Sequence, residues 1–412
     1  MKFTSSLAIA AALAVGAACS GAPALAQKKG EEKAQPKLNL SKAARPHIAA
    51  LQTAVGAGDA AGYQTSLAAA QAAAATPDDR YIIARLQLLH AQKTKDDALK
   101  LAATDAAIRS GGAPAEELPL LYRVLGTAQY TAKNYEAAAT AFEKLAELQP
   151  NNPESIALLA DARSKQNRPG DALGAIERAI AAQKAAGQKV SENWYRLGLR
   201  YAIESKQPAR ATGFSRDLLA AYPSPTNWRD SLIVYRDAAN LDKDSSLDLM
   251  RLMRATKSLK GDADYYELGD LLEDRGLPGE TKALIDEGIA ARAIDSNKPI
   301  FKNMLSAAAG KVSEDRASLA AAEKKAAADA TGKAALVTAD AYFGYGEYAK
   351  AAALYRTALQ KGSVDANLVN TRLGIALAYA GQKAEAEAAF KAVTGARAEI
   401  ASFWMLWLAQ RA

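Results

Sequence analysis

Residue types that do chemistry are scarce in this chain, and their spacing does not bring them together. There are 2 histidines, His47 and His90, far apart in sequence, and a single cysteine, Cys19. Zinc wants about four N, S or O ligands converging on one point, so either histidine would need carboxylates for most of its partners. A lone helical histidine is usually a surface or edge residue. The run Gly344-Tyr345-Gly346-Glu347-Tyr348-Ala349 fits the G-x-G-x-x-A of a dinucleotide site. That fingerprint follows a strand, whereas helical patterns flank this one on both sides, so its glycines are read as a turn. Asp242-x-Asp244-x-Ser246 has the opening of a calcium loop, but Leu247 stands where glycine is required and Met253 where the bidentate glutamate belongs.

A denser group is Asp262, Asp264, Glu267, Asp270, Glu273 and Asp274. On a helix Asp264, Glu267, Asp270 and Asp274 share a broad face, which reads either as a solvated surface or as a docking face for a basic partner. Paired carboxylates cleave glycosides only at a fixed separation across a cleft, and spacing along one helix does not supply it. No catalytic residue, metal or cofactor is assigned, and the chain is expected to be non-enzymatic.

The elements that would position any site are clearest between residues 191 and 223. Trp194, Leu197, Gly198 and Tyr201 fall on one side of a helix, Phe214 and Leu218 mark the inner face of a second, and Pro223 stops it. A helical hairpin of this size cannot bury its apolar face alone, so recurrence implies stacking. The unit does recur. Starts at residues 119, 153, 191, 225, 262, 297, 332 and 367 are spaced by 34 to 38 residues. Tyr122, Leu125, Gly126, Ala138, Phe142 and Pro150 repeat the pattern, as do Tyr265, Leu268, Gly269 and Leu272, and Leu373, Gly374, Ala386 and Phe390. In the unit from 225, Trp228 and Tyr235 keep the aromatic positions, but Ser231-Leu232 replaces Leu-Gly, which predicts looser packing or a displaced helix. The unit from 297 is the least faithful; its second helix is read as the Ala-rich segment 313–330.

Trp194-x2-Leu197-Gly198-x2-Tyr201, with Ala211, Phe214 and Pro223 after it, resembles the tetratricopeptide repeat consensus W-x2-L-G-x2-Y…A-x3-F…P. The physical reading is that small Gly198 lets two helices approach while Phe214 packs back between Trp194 and Tyr201. The resemblance covers residues 119–400 and implies an all-α, right-handed superhelical solenoid of antiparallel helix pairs. Ahead of it, 41–118 reads as two repeat-like helical pairs, and 401–412, with Phe403, Trp404, Trp407 and Leu408, as a capping helix over the open end. By the same resemblance the first helix of each unit lines a concave groove, which nominates Arg123, Tyr130, Asp161, Tyr195, Leu199, Tyr266, Asp270, Glu273 and Phe343 as binding residues. A groove of aromatics and both charge signs suits an extended partner segment. The implied function is a protein-protein interaction scaffold of the cell envelope. The alternative is a carbohydrate-associated periplasmic protein handling an envelope or exported polysaccharide.

Composition agrees with a helical array. The chain of 412 residues is 50% apolar but only 7% aromatic, with alanine, the best helix former, dominating. The formal net charge of +7 is spread without basic runs, which argues against nucleic acid. Residues 1–26 read as a signal peptide, with Lys2, an apolar run over 7–18 and cleavage after Ala26. Cys19 offers a competing reading as an acylated anchor, against which Gly16 stands where a larger aliphatic residue is preferred. Residues 27–40 read as a flexible polar leader. No later apolar run is long enough to span a bilayer, so the expected address is the bacterial periplasm or the extracellular space.

Overall fold

The computed structural model describes residues 38–411. The expected signal segment, Cys19 and leader residues 27–37 lie outside the described residues. Regular structure among the described residues is helical throughout. The helices are α1 (Ala44–Ala57), α2 (Ala60–Ala73), α3 (Pro77–Thr94), α4 (Asp97–Arg109), α5 (Leu118–Thr131), α6 (Tyr135–Leu148), α7 (Pro153–Lys165) and α8 (Pro169–Ala185). They continue with α9 (Glu192–Glu204), α10 (Pro208–Ala221), α11 (Pro225–Ala238), α12 (Lys243–Ala255), α13 (Gly261–Asp274) and α14 (Pro278–Ala290). The last are α15 (Pro299–Ala328), α16 (Lys333–Gly344), α17 (Tyr348–Lys361), α18 (Ala366–Tyr379), α19 (Lys383–Lys391) and α20 (Ala398–Gln410). Local chemistry sets the boundaries. Proline opens α3, α7, α8, α10, α11, α14 and α15, where its missing N–H costs nothing, and Asp59, Asp96, Asn152, Ser224, Asp242 and Asp365 cap helix N-termini.

Sequential helices pack in antiparallel pairs, and each pair leans on the next, giving an all-α, tetratricopeptide-like solenoid. The eight unit starts read from the sequence fall within two residues of the first residues of α5, α7, α9, α11, α13, α15, α16 and α18. The glycine–phenylalanine contact is the recurring joint. A Cβ placed at Gly126, Gly198 or Gly374 would lie 2.5, 2.2 or 2.5 Å from the ring of Phe142, Phe214 or Phe390 respectively. Only a bare backbone admits the ring at these positions. In the unit from 225, α11 and α12 touch sparingly, and the buried Ser231 hydroxyl finds no partner among the described residues. That agrees with the looser packing expected there.

Two expectations fail. The unit from 297 is not a hairpin but one continuous helix, α15, of 30 residues. Its alanines carry the helix through, and the lone interior breaker, Gly310, costs only about 1 kcal/mol. Nor does α20 only cover the end of the stack. It packs on α18 and α19 of the last unit and also returns to mid-chain against α10 and α12, while α18 also meets α12. The reason is its apolar face: Phe403 and Trp404 are completely buried, Phe403 lies edge-on to Tyr235 at 5.6 Å, and the Trp404 indole donates to the Asp248 carbonyl at 3.2 Å. The interior is divided accordingly. Two sequence-local cores span residues 44–121 and 138–218, and a third gathers side chains from Leu219 to Leu408. The array is open in its N-terminal half and closed on itself in its C-terminal half. Leu38 and Leu40, the end of the expected leader, lie against the first core.

Candidate functional site

The nine nominated groove residues divide into three sets. Tyr195, Leu199 and Phe343 are buried, Tyr195 and Leu199 in the second core and Phe343 in the third, and they are withdrawn as groove-facing residues. Helix rotation accounts for the first two, since the buried stripe of α9 is wide enough to include them, and Phe343 of α16 is covered by Tyr348 and Tyr379. Tyr130 and Asp161 are brought together, the tyrosine hydroxyl donating to the carboxylate at 2.6 Å across the gap between α5 and α7. Burial and then Asp161 push the Tyr130 hydroxyl well above its usual pKa. Arg123 stands 3.9 Å from Glu154 on α7. Tyr266, Asp270 and Glu273 form the third set, all exposed on α13.

Bridges between successive first helices make a polar stripe along the array. Arg196 of α9 reaches Asn227 and Asp230 of α11; Arg229 and Arg236 of α11 reach Asp264 and Glu267 of α13; Lys298, just before α15, reaches Asp262. The acidic group is therefore mostly structural. Asp262, Asp264, Glu267 and Asp274 each have a cationic partner, the last being Lys243. Asp270 and Glu273 have none among the described residues. With Tyr266 they stand at i, i+4 and i+7, so one narrow face of α13 offers two uncompensated carboxylates and a 42% exposed tyrosine to solvent.

The closed half holds a second constellation. Where α12, α18 and the residues before α20 converge, Asp248 is fully buried among three guanidiniums. Arg397 contacts it at 2.7 Å, Arg372 at 3.2 Å and Arg251 at 3.3 Å. Arg372 also grips Asp340 and Asp244, each at 2.6 Å, and Arg251 binds Glu280 through two bonds, at 3.0 and 2.6 Å. Tyr355 donates to Asp340 at 2.5 Å. Burial opposes ionisation of Asp248, but Arg372, Arg397 and Arg251 overcome it and hold the carboxyl below its usual range. The calcium-like carboxylates have other duties here: Asp242 caps α12 and Asp244 is held by Arg372 and Arg275.

Beside this cluster lies a cavity of about 530 Å³ walled by α12, α14, α15, the α16–α17 turn and α18. Its polar lining is Arg251, Arg254, Arg316, Glu280 and Glu287, and its aromatic lining is Phe343, Tyr345, Tyr348 and Tyr379. The Gly344–Gly346 segment forms the turn expected of it, with Gly346 at φ 77°. Tyr348 stacks on Tyr379 at 4.8 Å, with Phe343 edge-on to both. Burial and then Tyr348 push the Tyr379 hydroxyl up to about 12. His47 is exposed and His90 stacks on Tyr63 at 3.6 Å; no metal-binding group occurs among the described residues, and no helix of the described residues is long and apolar enough to cross a membrane.

No protein-family model matches this sequence, and no curated protein does. Among solved structures, a chain of the structure described as Naa15/Naa10 bound to HypK-THB is similar at 14% identity and a TM-score of 0.29, the match covering 85% of this chain and 62% of that one. This chain thus spans less than two thirds of that neighbour.

Sequence reasoning did not single out Asp248, Arg251, Arg372 or Arg397. One local signal was available: in Leu247-Asp248-Leu249-Met250-Arg251-Leu252-Met253 two charges interrupt an otherwise apolar run. Charges so placed are bound to be buried, and buried charges need partners. The partners lie 124 and 149 residues away, beyond any periodic pattern.

Proposed function

We propose that this protein is a non-enzymatic interaction scaffold, exported to a bacterial envelope, that holds a segment of a partner protein along the first-helix face of its array. The carrying observation is α13. Four of its carboxylates are used to join repeats, yet Tyr266, Asp270 and Glu273 remain together in solvent. An exposed tyrosine flanked by unpaired carboxylates suits a segment bearing lysine or arginine next to an apolar side chain. The non-enzymatic reading is supported by the state of the carboxylates at the cavity. Both oxygens of Glu280 are bound by Arg251, so it is not free as a general base, and Glu287 is held through one oxygen by Arg254. Export is supported by the signal-like pattern of residues 1–26.

Crosslinked affinity capture from envelope fractions, comparing the unaltered chain with the triple variant Tyr266→Ala, Asp270→Lys, Glu273→Lys, tests the reading. A partner recovered by the first and lost by the second is expected, with no sedimentation on envelope polysaccharide by either. Capture indifferent to the triple variant, or polysaccharide binding sensitive to it, would replace the scaffold with another function.

A further inference from the structure

We infer that the cavity in the closed half is a binding site for a small anionic ligand that carries a carboxylate or phosphate on a ring with an apolar face. It lies on other elements than the α13 face and does not depend on the scaffold reading.

The argument is a count of donors and acceptors around the hollow. Three guanidiniums face two carboxylates there. Arg251 is fully engaged by Glu280 and Asp248. Arg254 uses only Nε, on Glu287 at 2.8 Å, and neither of its Nη groups has an acceptor among the described residues. Arg316 lies over the Tyr345 ring at 4.8 Å, and its nearest carboxylate, Glu347, is 3.7 Å away, beyond a hydrogen bond. The hydroxyls of Tyr348 and Tyr379 also lack partners among the described residues, and neither is sealed from solvent. Both Glu280 oxygens are occupied by Arg251, leaving one Glu287 oxygen as the spare carboxylate acceptor of the lining. A hollow so rich in donors and poor in acceptors is completed by an oxyanion, and guanidinium forks match carboxylate and phosphate geometry.

The rest of the wall specifies what bears the oxyanion. The stacked Tyr348–Tyr379 pair lines the hollow beside the unbonded Nη groups of Arg254, with Phe343 packed edge-on to both rings. A volume of about 530 Å³ is that of a small-molecule site and not of a trough for an extended chain. Backbone also makes room: a Cβ at Gly279 would strike the Tyr345 ring at 2.4 Å, so glycine there lets that ring form a side of the hollow. Sugar acids, sugar phosphates and aromatic acids share this chemistry.

Calorimetric titration of the full chain with glucuronate, glucose 6-phosphate, benzoate, inorganic phosphate and neutral glucose reads the site. The expected result is binding of at least one ring-bearing anion, none of glucose, and weakening with added salt. Arg254→Gln and Arg316→Gln should each loosen that ligand about tenfold, and Tyr348→Leu should loosen the ring-bearing anion while leaving inorganic phosphate unchanged. Segment-resolved amide exchange confirms that each variant keeps the closed half folded. Absence of binding by every anion, glucose binding as well as its charged analogues, or arginine variants without effect in folded protein would overturn the inference.

Discussion

Two glycines show how finely the residue level decides. Gly198→Ala would put a methyl 2.2 Å from the Phe214 ring, and repacking that joint should cost about 1–3 kcal/mol in denaturant unfolding. Gly174, inside α8, has open space around its Cβ position, so Gly174→Ala should stabilise by about 0.5–1 kcal/mol in the same measurement. The first glycine was legible, because its spacing from Trp194, Tyr201 and Phe214 announces the joint. Asp248 was not, since its worth depends on arginines from distant helices. Asp248→Ala would take from buried Arg397 its 2.7 Å carboxylate, and from Arg372 and Arg251 one acceptor each, and should destabilise by about 3–5 kcal/mol, whereas Asp270→Ala on the solvent face should stay within about 0.5 kcal/mol.

At the scale of an element, the start of α3 ties the N-terminal pairs together. Asp79 closes a capping box with Thr76 and also accepts the Ser41 amide at 2.9 Å and the Ala75 amide at 3.0 Å. Burial opposes its ionisation, but these N–H groups prevail and lower its pKa to about 2. Because the folded value lies below the unfolded one, the contribution is complete above about pH 4 and is lost as pH falls through 2; its size is about 2 kcal/mol. Amide protection factors in α1–α3 should fall over that acid range, and Asp79→Asn should lower them already at neutral pH. Helix starts of this kind were readable because prolines, caps and aromatic spacings are local. The fusion of the expected pair at 297 into α15 was not, because Ala-rich sequence carries no stop of its own and only Gly310 hints at one.

For the whole molecule, the open half obeys nearest-neighbour energetics and the closed half does not. Trp404→Ala should cost about 3–5 kcal/mol and loosen α10–α20 as a unit, leaving exchange in α1–α8 unchanged. Tyr81→Ala, in the first core, should do the reverse. The array was visible in the sequence through its period, but the closure was not. The Gln410 amide meets the Leu219 carbonyl across 191 residues of chain, and no repeat encodes that meeting. The return of α20 also bears on synthesis. Helix pairs near the N-terminus can bury their faces while the ribosome is still working, since everything they need has already emerged. Asp248 and the apolar side of α12 must wait for Arg372, Arg397 and Trp404, which are made at least 124 residues later. A message truncated before residue 366 would therefore yield a chain whose first half is native and whose second half keeps a charged, sticky seam open to chaperones and proteases.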